Sequence, residues 1–353
     1  MRAGIDPAPG SPAMNGQAMA AEMAEQPAVL ERLVQRRAAV AAEVRAVLPP
    51  RLCGITLVAR GSSDNAALYG RYILEMASRR PAGLSAPSIH TLYRSPVEMD
   101  GYLAVAISQS GSTPEIRTVL RRLREQGART VAIVNSAGSP LEEEAEVTVH
   151  LDAGPEVAVP ATKTFTATLV ALGLVAAAVG DVAWSDADIA AVPGQVARLL
   201  ADPVPSDRLA AAIGESDRVL VTGRGLLLVA ALETALKIRE TSGILAEGIS
   251  PADLRHGPIA AVGPGFPVLS FRSPGVADQD VPELIEALMR RGAAVQLIGS
   301  DRGADCPLPA GVPSGLLPVL AVVRGQQVAA ALARRRGLDP DNPTGLSKVT
   351  LTH

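Results

Sequence analysis

A chain of 353 residues with 48% hydrophobic content can bury a large core and has the length of two ordinary domains. Its 33 basic and 36 acidic residues leave a net charge of -3, and with only 2% aromatics neither the basic footprint nor the stacking platform of a nucleic-acid binder is present. Cys53 and Cys306 have no CxxC or Cys/His ligand spacing around them, which excludes a disulfide framework and a zinc site and reads as a reducing, cytoplasmic setting.

Residues 1–18 carry Gly4, Pro7, Pro9, Gly10, Pro12 and Gly16 without an apolar period, and disorder is expected there. Residues 19–50 form a helical lead-in, in which Met23, Val29, Leu30, Leu33 and Val34 recur at three- and four-residue spacing; an interruption is expected at Gln26-Pro27. In residues 51–200, the first domain, short β-branched runs at 55–59, 103–107, 130–134 and 146–151 read as strands. They alternate with helical patterns at 65–79, 115–126 and 163–179. The most apolar run, 169–179, is too short to cross a bilayer, and no targeting segment or membrane partner is expected. Residues 201–340, the second domain, repeat the alternation with strands at 219–222, 268–271 and 294–298 and helices at 228–242, 282–291 and 326–336. Residues 341–353 are a tail with no period of their own. The pattern predicts an α/β fold of two units, each a parallel sheet with helices on both faces.

The two units share a register. Gly61 and Gly225, and likewise Gly111 and Gly275, lie 164 residues apart, and Gly127 and Gly292 lie 165 apart. Three matches within one residue of the same offset suggest one unit used twice. The likeness is asymmetric, because Phe271-Arg-Ser-Pro-Gly275 lacks the hydroxyls of the corresponding first-half loop.

That first-half loop, Ser108-Gln-Ser-Gly-Ser-Thr113, runs from a buried strand into a helix opened by Pro114. Free N–H groups of a helix start favour an anion, and Ser108, Ser110, Ser112 and Thr113 add neutral donors. Gly111 lets the backbone approach a ligand, although the plainer alternative is a turn capped by Thr113. Ser62 and Ser63, in Arg60-Gly-Ser-Ser-Asp64, end another strand the same way, and residues 154–164 form a third loop before a helix start. Open parallel sheets bind ligands beyond the carboxyl ends of their strands, so the three loops are expected to line one pocket.

The ordered set Gly61-Ser-Ser63, Ile107-Ser-Gln-Ser-Gly-Ser-Thr113, Ala153-Gly-Pro-Glu156, Ala161-Thr-Lys-Thr-Phe165, Ala235-Leu-Lys-Ile-Arg-Glu240, Leu254-Arg-His-Gly-Pro258 and Gly345-Leu-Ser-Lys-Val349 resembles the sugar isomerase (SIS) domain family. Within the family it is most similar to the isomerase half of glutamine-fructose-6-phosphate amidotransferases. The resemblance implies two tandem SIS domains, each a flavodoxin-like parallel sheet, assembled as a homodimer that acts on a hexose 6-phosphate or amino-sugar phosphate. It implies that Ser62, Ser63, Ser108, Gln109, Ser110 and Thr113 hold the substrate, with backbone contacts from Val159 and Ala161. It further implies Glu240 as the base moving a proton between C1 and C2, and His256, donated across the dimer interface, as the ring-opening group. Lys348 is implied to reach the open-chain carbonyl from the tail. Lys237, one helical turn before Glu240, could stabilise developing negative charge on the substrate oxygen. In isolation Lys237 and Glu240 would read as a solvated pair, but Ala231, Leu232, Ala235, Leu236 and Ile238 leave that helix little polar surface.

Proton transfer along C1–C2 needs a base, an acid and a phosphate anchor, so no metal or organic cofactor is expected. Gly223-Arg-Gly225 is followed by Leu228 where a dinucleotide fingerprint has its third glycine. Position 2 is arginine rather than the cysteine of a glutaminase domain, and Arg60 and Ser112 stand where the family usually has a small residue and a glutamate. An amino-sugar-phosphate deaminase and isomerase is therefore expected. A fructosamine-6-phosphate deglycase, a plain aldose–ketose isomerase and a phosphosugar-sensing module remain as alternatives.

Overall fold

Strands that are apolar on both faces demand helical cover on both sides, and the computed structural model, which describes residues 16–348, supplies it twice. In the first sheet, β1 (Gly54–Val58), β2 (Ala82–Leu84), β3 (Tyr102–Ser108), β4 (Arg129–Val134) and β5 (Val147–His150) are all parallel, in the order β2-β1-β3-β4-β5. In the second, β6 (Arg218–Gly223), β7 (Leu245–Ile249), β8 (Pro267–Arg272), β9 (Ala294–Gly299) and β10 (Cys306–Pro307) are also parallel, in the order β10-β9-β8-β6-β7. Read from β7, this is the strand order of the first sheet again, the flavodoxin-like 2-1-3-4-5.

The helices are α1 (Gln17–Gln35), α2 (Arg37–Val47), α3 (Ser62–Ser78), α4 (Pro87–Thr91), α5 (Pro114–Glu125), α6 (Lys163–Val179), α7 (Asp186–Ala201), α8 (Val204–Ile213), α9 (Leu228–Ser242), α10 (Pro251–Arg255), α11 (Val281–Arg290) and α12 (Leu317–Arg335). Strand alternation sorts them into layers. Leu103, Val105 and Ile107 of β3 join a core shared by both sheets with residues of α1, α3, α6, α9 and α12. Ala104 and Ala106 face the other way, onto Ile116, Val119, Leu120 and Leu123 of α5. On the outer side of the second sheet, Leu220 and Val268 pack against Leu254 of α10 and Leu284 and Leu288 of α11.

The glycines matched in sequence occupy matching places. Gly111 and Gly275 each lie three residues past a strand end, and Gly127 and Gly292 two residues before the next strand; all four have positive φ.

Several expectations are corrected. Residues 1–15 of the expected disordered tail lie outside the described residues, but Gln17 and Ala18 already belong to α1. Gln26-Pro27 does not interrupt that helix. Proline removes the N–H that would bond the Met23 carbonyl, and the Gln26 side chain replaces it, donating Nε2 to Met23 O at 3.1 Å. Helix α12 starts at Leu317 rather than near 326, because it is buried on nearly every side and shows no amphipathic edge. No helix among the described residues is long and apolar enough to cross a membrane.

Candidate functional site

The carboxyl ends of β1 and β3 feed straight into helix starts. Gly61, at φ 61°, precedes α3, whose first two residues are Ser62 and Ser63. Thr113 precedes α5 in an extended conformation, with Pro114 at the first helical position. Thr113 stands at the cap position but makes no capping bond; its hydroxyl lies 3.5 Å from that of Ser108. The capped-turn alternative therefore does not describe this loop. Gly111 is required for a reason other than ligand approach: a Cβ there would lie 2.1 Å from Ser139 Oγ, and its φ is 61°.

These loops face one cavity of about 430 Å³, within the range of small-molecule sites. Ser62, Ser63, Ser108, Gln109, Ser110, Thr113, Val159, Ala161, Lys237, Glu240 and Lys348 all line it. His256 does not: it is exposed at the end of α10, before the Gly257-Pro258 turn. The Val159 N–H is already engaged, donating to Asp341 O at 3.0 Å. Arg60 also lines the cavity, but its guanidinium grips Glu115 with two bonds of 2.8 and 2.9 Å, so the fork faces a carboxylate rather than the hydroxyls.

The wall contributed by α9 is charged. Lys237 is 1% exposed, with its ammonium 2.5 Å from Glu240 and 3.4 Å from Glu233. Glu233 is fully buried and accepts a bond from Asn65 Nδ2 at 2.8 Å, which ties α9 to α3. Burial drives the Glu233 carboxyl above the usual range, and the nearby Glu240 charge adds to the rise against the opposing pull of Lys237. Burial works against the Lys237 charge, yet Glu233, Glu240 and Glu156 together hold its pKa above the usual lysine value.

The third wall is the loop before α6. Glu156 is buried there and caps the helix, accepting the Thr162 and Thr164 N–H groups at 2.9 and 3.1 Å and the Thr164 hydroxyl at 2.7 Å. Lys348 of the tail reaches in to donate to Glu156 at 2.8 Å and to Ala158 O at 2.7 Å. Burial alone would raise the Glu156 carboxyl, but the adjacent ammonium and the helix-start donors hold it below the usual range.

Glu156 and Glu233 were not singled out by sequence reasoning. Glu233 did show a signal, lying two turns before Glu240 on one side of a helix with little polar surface. Glu156 showed its place before a helix start and its membership of the motif Ala153-Gly-Pro-Glu156. Among the described residues no three His, Cys, Asp or Glu side chains form a metal-holding group. The cavity brings together neutral donors, suited to an anion, and a carboxylate beside a buried ammonium, suited to moving a proton.

A family profile described as the SIS domain matches residues 54–178 and 212–302. The isomerizing glutamine–fructose-6-phosphate aminotransferase of Streptomyces coelicolor is 34% identical over 94% of this chain and 58% of its own length. The chain thus spans a little over half of that relative. A crystal structure from Silicibacter pomeroyi, whose assignment as a phosphosugar isomerase is itself provisional, is 32% identical with a TM-score of 0.83, covering 93% of this chain and all of that one. The glucosamine-6-phosphate deaminase of Thermotoga maritima, at 23% identity and TM-score 0.78, covers 95% of this chain and all of its own, a likeness of fold. With the profile matching on both sheets and a relative similar along almost the whole chain, this protein belongs to the SIS domain family.

Proposed function

We propose that this chain is a phosphosugar enzyme that converts glucosamine 6-phosphate to fructose 6-phosphate and ammonia. The observation that carries the reading is the Lys237–Glu240 pair on α9, its lysine buried and both residues lining the same cavity as the hydroxyl-lined starts of α3 and α5. In this reading residues 51–200 anchor the phosphate, residues 201–340 carry the proton transfer and the tail from 341 closes the site. Ser62, Ser63, Ser108, Gln109, Ser110 and Thr113 hold the substrate. His256 opens the pyranose ring from the neighbouring subunit of a homodimer, which accounts for its place away from its own cavity.

On the open-chain amino sugar, Glu240 takes the C2 proton and returns it to C1. The C1 oxygen, stabilised by Lys237, gains a proton to become a hydroxyl, and C2 becomes an iminium carbon. Water adds at C2, ammonia leaves, and the C2 ketone of fructose 6-phosphate remains. Lys348 can meet the open-chain carbonyl as an amine. The similarity to an aminotransferase with an isomerizing activity supports the C1–C2 chemistry, and the cavity residues support an anionic sugar.

Purified protein given glucosamine 6-phosphate is expected to release ammonia and fructose 6-phosphate in equal amounts. Glu240→Gln is expected to lower turnover by a factor on the order of 100–10,000 while binding persists in calorimetry. Binding without ammonia release by the unaltered chain would sink the deaminase reading in favour of a plain aldose–ketose isomerase. Loss of binding in Glu240→Gln would make Glu240 a structural residue.

A further inference from the structure

Residues 151–157 of the third wall have no regular structure, yet the loop is held at three successive amides by groups from far along the chain. Glu22 of α1 accepts the Val157 N–H and, at 3.2 Å, the Ala158 N–H through one oxygen. The next amide, Val159, donates to the Asp341 carbonyl, and the Ala158 carbonyl accepts Lys348 Nζ. Asp341 is fixed in turn by α1, because its carboxylate accepts the N–H groups of Ala18 and Met19 at 2.9 and 2.7 Å. These are first-turn amides of a helix whose own cap residue, Gly16, has no side chain. Helix α1 therefore holds the loop with one side chain and the tail with its open end.

The same face of α1 grips α6 below the loop. Glu25 pairs with buried Lys163 at 2.6 Å, and Gln26 Oε1 accepts the Thr166 hydroxyl at 2.9 Å. Positions 18, 19, 22, 25 and 26 share one side of a helix. Glu22 is only 4% exposed, and its second oxygen has no hydrogen-bond partner among the described residues. A buried acid serving packing alone would be an expensive choice, since an apolar residue fills such a position without desolvating a charge. It is explained if the two amides it holds must stay in register for the tail.

We infer that Glu22 is a positioning residue: by fixing the 157–158 backbone it presents the Ala158 carbonyl and the Val159 amide on which the tail docks, and so sets Lys348 at the mouth of the cavity. The inference rests on the reading of this cavity as a phosphosugar site closed by Lys348. It makes the lead-in helix part of the site although none of its residues lines the cavity.

The test uses the full chain with glucosamine 6-phosphate as the calorimetric probe, together with amide hydrogen exchange. Glu22→Ala is expected to speed exchange at Val157 and Ala158, and also at Leu346 in the tail, by about tenfold or more, and to weaken binding about tenfold. Lys348→Ala should weaken binding to a similar degree, and the double variant should bind no worse than the weaker single variant. Glu22→Gln, which keeps an oxygen for the two amides, is expected to restore protection and most of the binding. Should Glu22→Ala fold poorly, Glu22→Asp draws the carboxylate back by one methylene and should give the same pattern at lower amplitude. Additive losses in the double variant, or faster exchange at 157 and 158 with Leu346 unchanged, would reduce Glu22 to a packing residue. If the unaltered chain binds no glucosamine 6-phosphate, the functional reading fails, and exchange at Leu346 still decides this inference alone.

Discussion

The two sheets have one strand order and the same glycine stations, yet the loops at their carboxyl ends have opposite character. In the first half, Ser62, Ser63, Ser108, Ser110 and Thr113 line an open cavity at two helix starts. In the second, Leu226 and Leu227 take the places of the paired serines within a short 3-10 turn that delays α9 to Leu228. Arg272 is locked by Asp278 at 2.7 Å and Asp301 at 3.4 Å, and Ser273 meets Ser300 at 3.0 Å. The fold supplies helix starts in both halves, but in the second the polar groups after β8 are already engaged with one another. The second half instead contributes Lys237 and Glu240 of α9 to the wall of the first-half cavity.

The strongest way to break this comparison is at the paired glycines. Gly111→Ala should cost about 2–4 kcal/mol, combining left-handed strain with a Cβ 2.1 Å from Ser139 Oγ, and should abolish binding of glucosamine 6-phosphate. Gly275→Ala meets no atom within 4 Å, but its φ of 146° suits glycine alone, so about 1–3 kcal/mol is expected. Its binding should remain intact. Thermal unfolding with calorimetry reads both, and loss of binding in both variants would erase the distinction between the halves.

A smaller effect sharpens the same contrast. Ser110→Ala removes a neutral donor from the open cradle and is expected to weaken phosphosugar binding about tenfold, the worth of one hydrogen bond to a charged group. Ser273→Ala, at the closed station, should leave the dissociation constant unchanged within error. Equal weakening would mean that both cradles meet the ligand.

How much of this was legible follows from burial. The inner strands were readable because both of their faces are covered, so Leu103 to Ile107 and Val219 to Thr222 show continuous apolar runs. Of the four edge strands only β5 was read; Ala82–Leu84 has three residues, Cys306–Pro307 two, and Leu245–Ile249 carries Glu247 and Gly248 with one side open. Helix α7 was missed although Ser185 and Asp188 form a capping box, since Pro193 inside it argues against a helix in sequence. In the site, hydroxyl-rich loops at strand ends have a local signature. Glu22, Glu156 and Glu233 also have partners 135, 192 and 168 residues away, and no local pattern encodes those partners.

The subtlest difference between the halves is written in their buried acids, Glu156 and Glu233, whose carboxyls shift in opposite directions from 4.5. Glu156 is held down in the folded state, so the stability it contributes is fully present above pH 4.5 and is lost as pH falls through its lowered folded value. Glu233 is pushed up, so the folded state holds its proton more tightly than the unfolded chain. That contribution is fully present below pH 4.5 and is lost as pH rises through its raised folded value. Thermal midpoints followed from acid toward neutral pH should therefore carry two limbs of opposite slope. Glu156→Gln should flatten the acid limb and spare the other. Glu233→Gln should lessen the decline above pH 4.5, to which the raised carboxyls of Glu22 and Asp64 also contribute, and spare the acid limb, because the amide keeps an acceptor for Asn65 but has no proton to lose. If Glu233→Gln left that decline undiminished, Glu233 would be ionised throughout, and the Lys237 ammonium would pair with two α9 carboxylates rather than one.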